Sequence, residues 1–132
     1  MNQDIVAISA ARTAIGGFGG VLRDVPAYDL GATAIREAIA RAGVDGGAID
    51  QAIIANCRQA GNGPNPARTA AVRGGMSLSA PVFTVNMACP SGIKSAMLAS
   101  RELASGDAKL VMCAGMESMS TMPYLLKGAR WE

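Results

Sequence analysis

The chain has 132 residues, 12 Lys and Arg against 10 Asp and Glu, and a formal charge of +2. That length suits one domain, which buries roughly two-thirds of the surface its unfolded chain exposes. Half the residues are apolar, yet no apolar run nears the roughly 18 residues that cross a bilayer, which excludes a membrane-spanning helix.

Asp4 to Ala10 (DIVAISA) is rich in Ile and Val and apolar at nearly every position, which predicts a strand buried on both faces. The glycines at 16, 17, 19 and 20 then preclude regular structure. Leu30, Ala34, Ile35, Ala38, Ile39 and Ala42 follow at helical spacing, with Gly43 where a left-handed cap is expected. Ile49 to Asn56 predicts a second strand, and Ala67 to Gly75 a short helix ended by a glycine pair. Pro81 to Asn86 predicts a third strand, Ser91 to Ser105 a long helix stopped at Gly106, and Ala108 to Ala114 a fourth strand. The tail, Gly115 to Glu132, has no period and reads as an ordered loop. Strands alternating with helices imply crossover connections and a largely parallel sheet with helices on both faces, an α/β fold.

The start of the chain has no basic segment leading into an apolar core, so no secretory signal is expected and the cytoplasm is the expected compartment. Scattered Lys and Arg, with only five aromatics, give no footprint for nucleic acid. There is no histidine, so the chain supplies neither a Cys-His pair nor a Ser-His-Asp triad by itself, and no metal site is expected. Cys57, Cys89 and Cys113 fit neither a disulfide framework nor a zinc knuckle.

Cys89 is the most informative position. A strand ends at Asn86 and a helix begins near Ser91, which places the thiol at the start of a helix. Free N–H groups and the helix dipole favour negative charge there, and the thiolate is the reactive form of cysteine. Pro90 suits the first helical position and pushes Cys89 toward extended backbone angles, while Gly92 removes a side chain beside the sulfur. This is strand-turn-helix logic for a nucleophile, although geometry alone leaves open a small buried cysteine at a tight turn. Cys57 and Cys113 read as packing residues, Glu117 as a hydrogen-bonded structural carboxylate, and Arg68 and Arg73 as solvated charge. Met112, Met116, Met119 and Met122 read as core. GGFGG at 16–20 lacks a phosphate-cradling pattern and reads as a plain loop.

The stretch VNMACPSGIKSA resembles the pattern around the nucleophilic cysteine of the thiolase family, Asn-x-x-Cys-x-Ser-Gly-x-x-Ala/Ser. ISAARTAIGGFGG, GNGPNPARTAAVRGG and AGMESMSTMPY also resemble thiolase segments, in the same order along the chain. Position 90 is usually glycine in that family, and Ala14 stands where a proline often follows Arg-Thr. The resemblance implies a three-layer thiolase-like half, with residues 1–132 as a single N-terminal-type domain. The C-terminal half and most of the loop domain would be absent. It implies that Cys89 carries an acyl group as a thioester, with its own backbone N–H as an oxyanion donor, in condensation of acetyl-CoA or thiolysis of 3-ketoacyl-CoA. Coenzyme A thioesters would be substrates, and no cofactor would be bound permanently. The activating histidine, a second cysteine acting as acid and base, a water-positioning asparagine and much of the coenzyme A pocket would lie in the other portion. A homo- or hetero-oligomer with a chain supplying that C-terminal half is therefore expected, with no nucleic-acid or membrane partner. The alternatives are a non-catalytic thiolase-like interaction module and a truncated, inactive product.

Overall fold

The computed structural model describes residues 4–131. Three parallel strands, β1 (Gln51–Ala55), β2 (Val82–Val85) and β3 (Val111–Gly115), form a sheet in the order β2-β1-β3. In register, Ile53 of β1 lies between Phe83 and Cys113, and Ile54 between Thr84 and Ala114. Helices α1 (Ala27–Ala42) and α2 (Pro66–Arg73) pack against each other and against one face of the sheet. The third helix, α3 (Ser91–Ser105), covers the other face, giving three layers.

Alternation along β1 sorts its side chains. Ala52 and Ile54 join the core beneath α1 and α2, while Ile53 and Ala55 face α3, and all four are buried. β1 is therefore an apolar run without polar alternation, as a central parallel strand requires. Each of its isoleucines contributes about 1.5–3 kcal/mol by burial.

Small buried residues let α1 and α2 approach at their seam, with Gly31 against Ala70 and Gly74 against the buried Ile35. A Cβ built on Gly74 would stand 2.6 Å from Ile35 Cγ2, so the close approach depends on that glycine. Pairing reinforces the seam at its edge, where Arg73 Nη1 donates to Asp29 Oδ1 at 2.6 Å and its guanidinium lies 4.8 Å from the Tyr28 ring centre. The bond to Asp29 raises the Arg73 pKa above its ordinary value.

The ends of α1 and α3 follow the glycine signals in the sequence. Gly43 (φ 66°) and Gly106 (φ 83°) adopt the left-handed cap conformation, and Asn65 caps α2 by accepting from the Arg68 N–H at 3.1 Å. Arg68 itself is not plain solvated charge, because its guanidinium donates to the carbonyls of Ala80 (2.6 Å) and Leu78 and closes the loop after α2.

The largest departure from expectation is the first segment. Asp4 to Ala10 is no strand: Val6 is 70% and Ile8 55% exposed, and among the described residues the sheet holds three strands rather than four. Its polar ties run to α1 instead, through Ser9 Oγ to the Ala38 carbonyl (2.8 Å) and Arg41 Nη1 to the Ala10 carbonyl (3.2 Å). Apolar composition specifies a strand only where a sheet edge is alongside to pair with it. Among the described residues the outer edges of β2 and β3 are unpaired. The tail reads as expected, a loop with one short turn at Met119–Thr121, tied to the glycine-rich loop by the Gly19 N–H donating to Ser120 Oγ at 2.9 Å. Its last residue, Glu132, lies outside the described residues. Of the four methionines expected in the core, Met116 is buried, Met112 packs against the core and Met122 is half-buried, whereas Met119 is exposed.

A pH-sensitive clamp fixes the approach to β3. Asp50 Oδ2 accepts from the N–H groups of Lys109 (2.8 Å) and Leu110 (3.0 Å), and these bonds lower its pKa below the ordinary 3.8. A carboxylate with a depressed folded pKa contributes stability above its unfolded pKa and loses it as pH falls through the folded value. The stability difference between wild type and Asp50→Asn is therefore expected to be full at pH 7. It should shrink as the pH falls below 3.8, as read from urea midpoints at each pH; an unchanging difference would contradict the clamp.

Candidate active site

The carboxyl ends of all three strands meet at one end of the sheet, where open parallel sheets place their ligands. The turn from β2 to α3 runs through Asn86, Met87, Ala88, Cys89 and Pro90. Ala88 has φ 55°, the only non-glycine residue with positive φ among the described residues. A left-handed alanine costs on the order of 1–2 kcal/mol, so the surrounding bonds must hold it in place. Strain thus falls on the residue before the cysteine.

Those bonds are well defined. Asn86 Oδ1 accepts from the Ala88 N–H at 2.9 Å, an Asx turn, while Asn86 Nδ2 donates to the Cys57 carbonyl at 2.9 Å. Ser91 Oγ accepts from the Met87 N–H at 2.7 Å and donates to the Ala88 carbonyl, which the Ser91 N–H also reaches at 3.0 Å. Cys57 Sγ–H donates to the same carbonyl at 2.9 Å and lies 3.5 Å from Ser91 Oγ. Pro90 (φ −79°, ψ 8°) is the residue just before α3 rather than its first helical residue.

Cys89 itself is exposed, which removes the alternative of a small buried cysteine. A Cβ on Gly92 would meet nothing within 4 Å, so the space beside the turn is open. Cys113 is exposed as well and is not a packing residue, because β3 is an edge strand. Cys57 is only partly buried, and its thiol makes the polar contacts described above.

Glu117 carries the next layer. Its Oε1 accepts from Asn56 Nδ2 (2.8 Å) and the Arg58 N–H (3.1 Å), and its Oε2 from the Cys57 N–H (3.0 Å). A carboxylate from the end of β3 therefore fixes the chain leaving β1, and that chain in turn bonds the elbow. Asn56 is fully buried, and its Oδ1 has no partner among the described residues.

A cleft of about 450 Å³ lies beside this network, walled by Ala11 to Phe18, Gly31 and Gly115 to Ser120. Cys89 does not line it. The elbow cysteine was legible from the strand-turn-helix pattern. The bonds from Cys57 were not, because residues 57 and 88 are far apart in sequence.

This architecture sets an exposed cysteine on a strained strand-to-helix turn of an α/β scaffold. The thiolase N-terminal domain model matches residues 5–132, and the chain belongs to the thiolase family. It is 49% identical over 127 residues to a Staphylococcus epidermidis protein named "Probable acetyl-CoA acyltransferase", covering 96% of this chain and 32% of that protein. A Staphylococcus aureus protein of the same name is 48% identical over the same length, with the same coverage. The crystal structure of the Bacillus anthracis acetyl-CoA acetyltransferase superposes with a TM-score of 0.90 at 35% identity, covering 94% of this chain and 32% of that one. The chain thus spans about a third of the length of these relatives.

Proposed function

We propose that Cys89 is the acyl-carrying nucleophile of a thiolase-type acyltransferase, acting in condensation of acetyl-CoA or thiolysis of 3-ketoacyl-CoA. The Cys89 thiolate adds to the thioester carbonyl of an acyl-CoA, and its backbone N–H donates to the oxyanion that forms. The carbon–sulfur bond to coenzyme A then breaks, the electron pair leaves on the coenzyme sulfur, and the acyl group stays on Cys89.

The observation that carries this reading is an exposed cysteine on a braced, left-handed turn at the start of α3, in a chain of the thiolase family. The relatives' names, acetyl-CoA acyltransferase and acetyl-CoA acetyltransferase, support coenzyme A thioesters as the substrate class, and we place the reaction in fatty-acid metabolism. Residues 1–132 act as one N-terminal-type domain within a cytoplasmic homo- or hetero-oligomer. A polypeptide equivalent to the C-terminal half supplies the base that this histidine-free sequence lacks. Each missing base or oxyanion donor typically costs about 10²–10⁴ in rate, so the chain alone turns over weakly or not at all.

Incubation with acetyl-CoA, with and without the complementary thiolase half, is expected to give an acetyl adduct on the Cys89 peptide by mass spectrometry. Cys89→Ala should abolish that adduct and Cys113→Ala should leave it. Absence of the adduct under both conditions would reject the reading in favour of a non-catalytic interaction module or an inactive fragment.

A further inference from the structure

The geometry points to Ser91 and Cys57 as positioning residues that aim the Cys89 backbone N–H outward by holding the Ala88 carbonyl inward. The inference rests on Cys89 as acyl acceptor, as proposed above, but not on coenzyme A as the acyl donor.

In a trans peptide the C=O and N–H point in opposite directions within one plane. No cis peptide is present among the described residues, so the direction of the Ala88 carbonyl sets that of the Cys89 N–H. That carbonyl accepts from the Ser91 N–H, the Ser91 hydroxyl and the Cys57 thiol. Ser91 is buried at the start of α3, and Cys57 stands on the segment after β1, so two separate segments hold the carbonyl. The two preceding N–H groups of the turn are occupied, that of Met87 on Ser91 Oγ and that of Ala88 on Asn86 Oδ1. The Cys89 N–H meets no acceptor among the described residues.

The free donor therefore sits beside the exposed thiol, on the opposite edge of its peptide unit from Ser91 and Cys57. A preorganised N–H of this kind stabilises an oxyanion without paying reorganisation during the reaction. Loss of either brace lets the strained Ala88–Cys89 peptide rotate, since a left-handed alanine relaxes unless held. The thiol of Cys57 is the weaker donor, but it ties the elbow to a different strand.

A test separates aim from mere folding. Acetyl transfer from 4-nitrophenyl acetate to Cys89 passes through an oxyanion: the C–S bond forms, the ester C–O bond breaks, and 4-nitrophenolate leaves with the electron pair. Alkylation by iodoacetamide displaces iodide and forms no oxyanion. Both need the thiolate, so the ratio of the two rates, each read on the Cys89 peptide of the native full-length protein by mass spectrometry, cancels changes in ionisation and access.

Ser91→Ala, Cys57→Ala and the near-isosteric Cys57→Val are each expected to lower that ratio about 10-fold, part of the 10²–10³ that loss of an oxyanion donor costs. Cys57→Ser, which keeps an O–H donor, should restore it to within about 3-fold of wild type. The exposed Cys113 supplies an internal reference whose ratio should not change. A wild-type ratio in Ser91→Ala or in both Cys57→Ala and Cys57→Val would overturn the inference, as would a Cys89 that accepts no acetyl group from the ester. Failure with acetyl-CoA alone would instead count against the coenzyme reading.

Discussion

The Glu117→Ala variant is expected to lose about 3 kcal/mol of stability, from charge-assisted hydrogen bonds worth about 1.5–3 kcal/mol each, discounted for partial exposure. Its carboxylate accepts from the N–H groups of Cys57 and Arg58 and from the side chain of Asn56. Without it, two backbone donors at the end of β1 lose their partner, and Asn56, which is fully buried, keeps only the Met116 carbonyl for its amide. Glu117→Gln should fare little better, because a carboxamide presents one NH₂ group to donors that need an acceptor. Urea unfolding measures the loss. Amide exchange at Cys57 and Arg58 locates it, and those two amides should lose protection before the core of β1 does. Wild-type midpoints in both variants would show that the carboxylate is dispensable.

Gly46→Ala is expected to cost about 3 kcal/mol and to lower the melting temperature by roughly 10 °C. A Cβ at this position would sit 2.0 Å from the Gly75 carbonyl oxygen and 2.9 Å from its carbon. Those atoms are backbone and cannot swing aside. Relief would have to come from parting the turn at Gly46–Ala48 from the loop after α2, where the Ser77 N–H donates to the Gly46 carbonyl at 3.4 Å. The neighbouring Gly47→Ala is the control. There the added carbon would meet only Asp45 Oδ1, at 2.8 Å, a side-chain atom that can move. Its cost should stay below about 1 kcal/mol. Equal melting temperatures for the two variants would refute the close approach.

Much of this molecule is legible in local signals. Gly43 and Gly106 mark the ends of α1 and α3 because a left-handed cap needs no long-range information. Ser91 to Ser105 is the helix that its periodicity predicts, β1 and β2 fall inside the predicted runs, and β3 runs one residue past its predicted end, to Gly115. The site's central cysteine is readable for the same reason, since a strand, a turn and a helix follow one another without interruption.

What escaped depends on partners distant in the chain. Asp4 to Ala10 has strand-like residues but no strand beside it, and composition carries no information about pairing. Cys113 sits in an apolar run, yet the exposure of an edge strand depends on what lies next to it. The contacts of Cys57 with Ala88, of Glu117 with residues 56–58 and of Arg68 with the loop after α2 each join segments that only the folded sheet brings together.

The alanine and glycine seam between α1 and α2 has a dynamic consequence. The buried Ile35 side chain fits against Gly74 so closely that no Cβ could be added there, and close-packed interiors deform little. The two helices should therefore behave as one rigid block beneath the sheet. Microsecond motion would then be confined to the opposite layer and to the loops at the strand ends, where relaxation-dispersion NMR would find it.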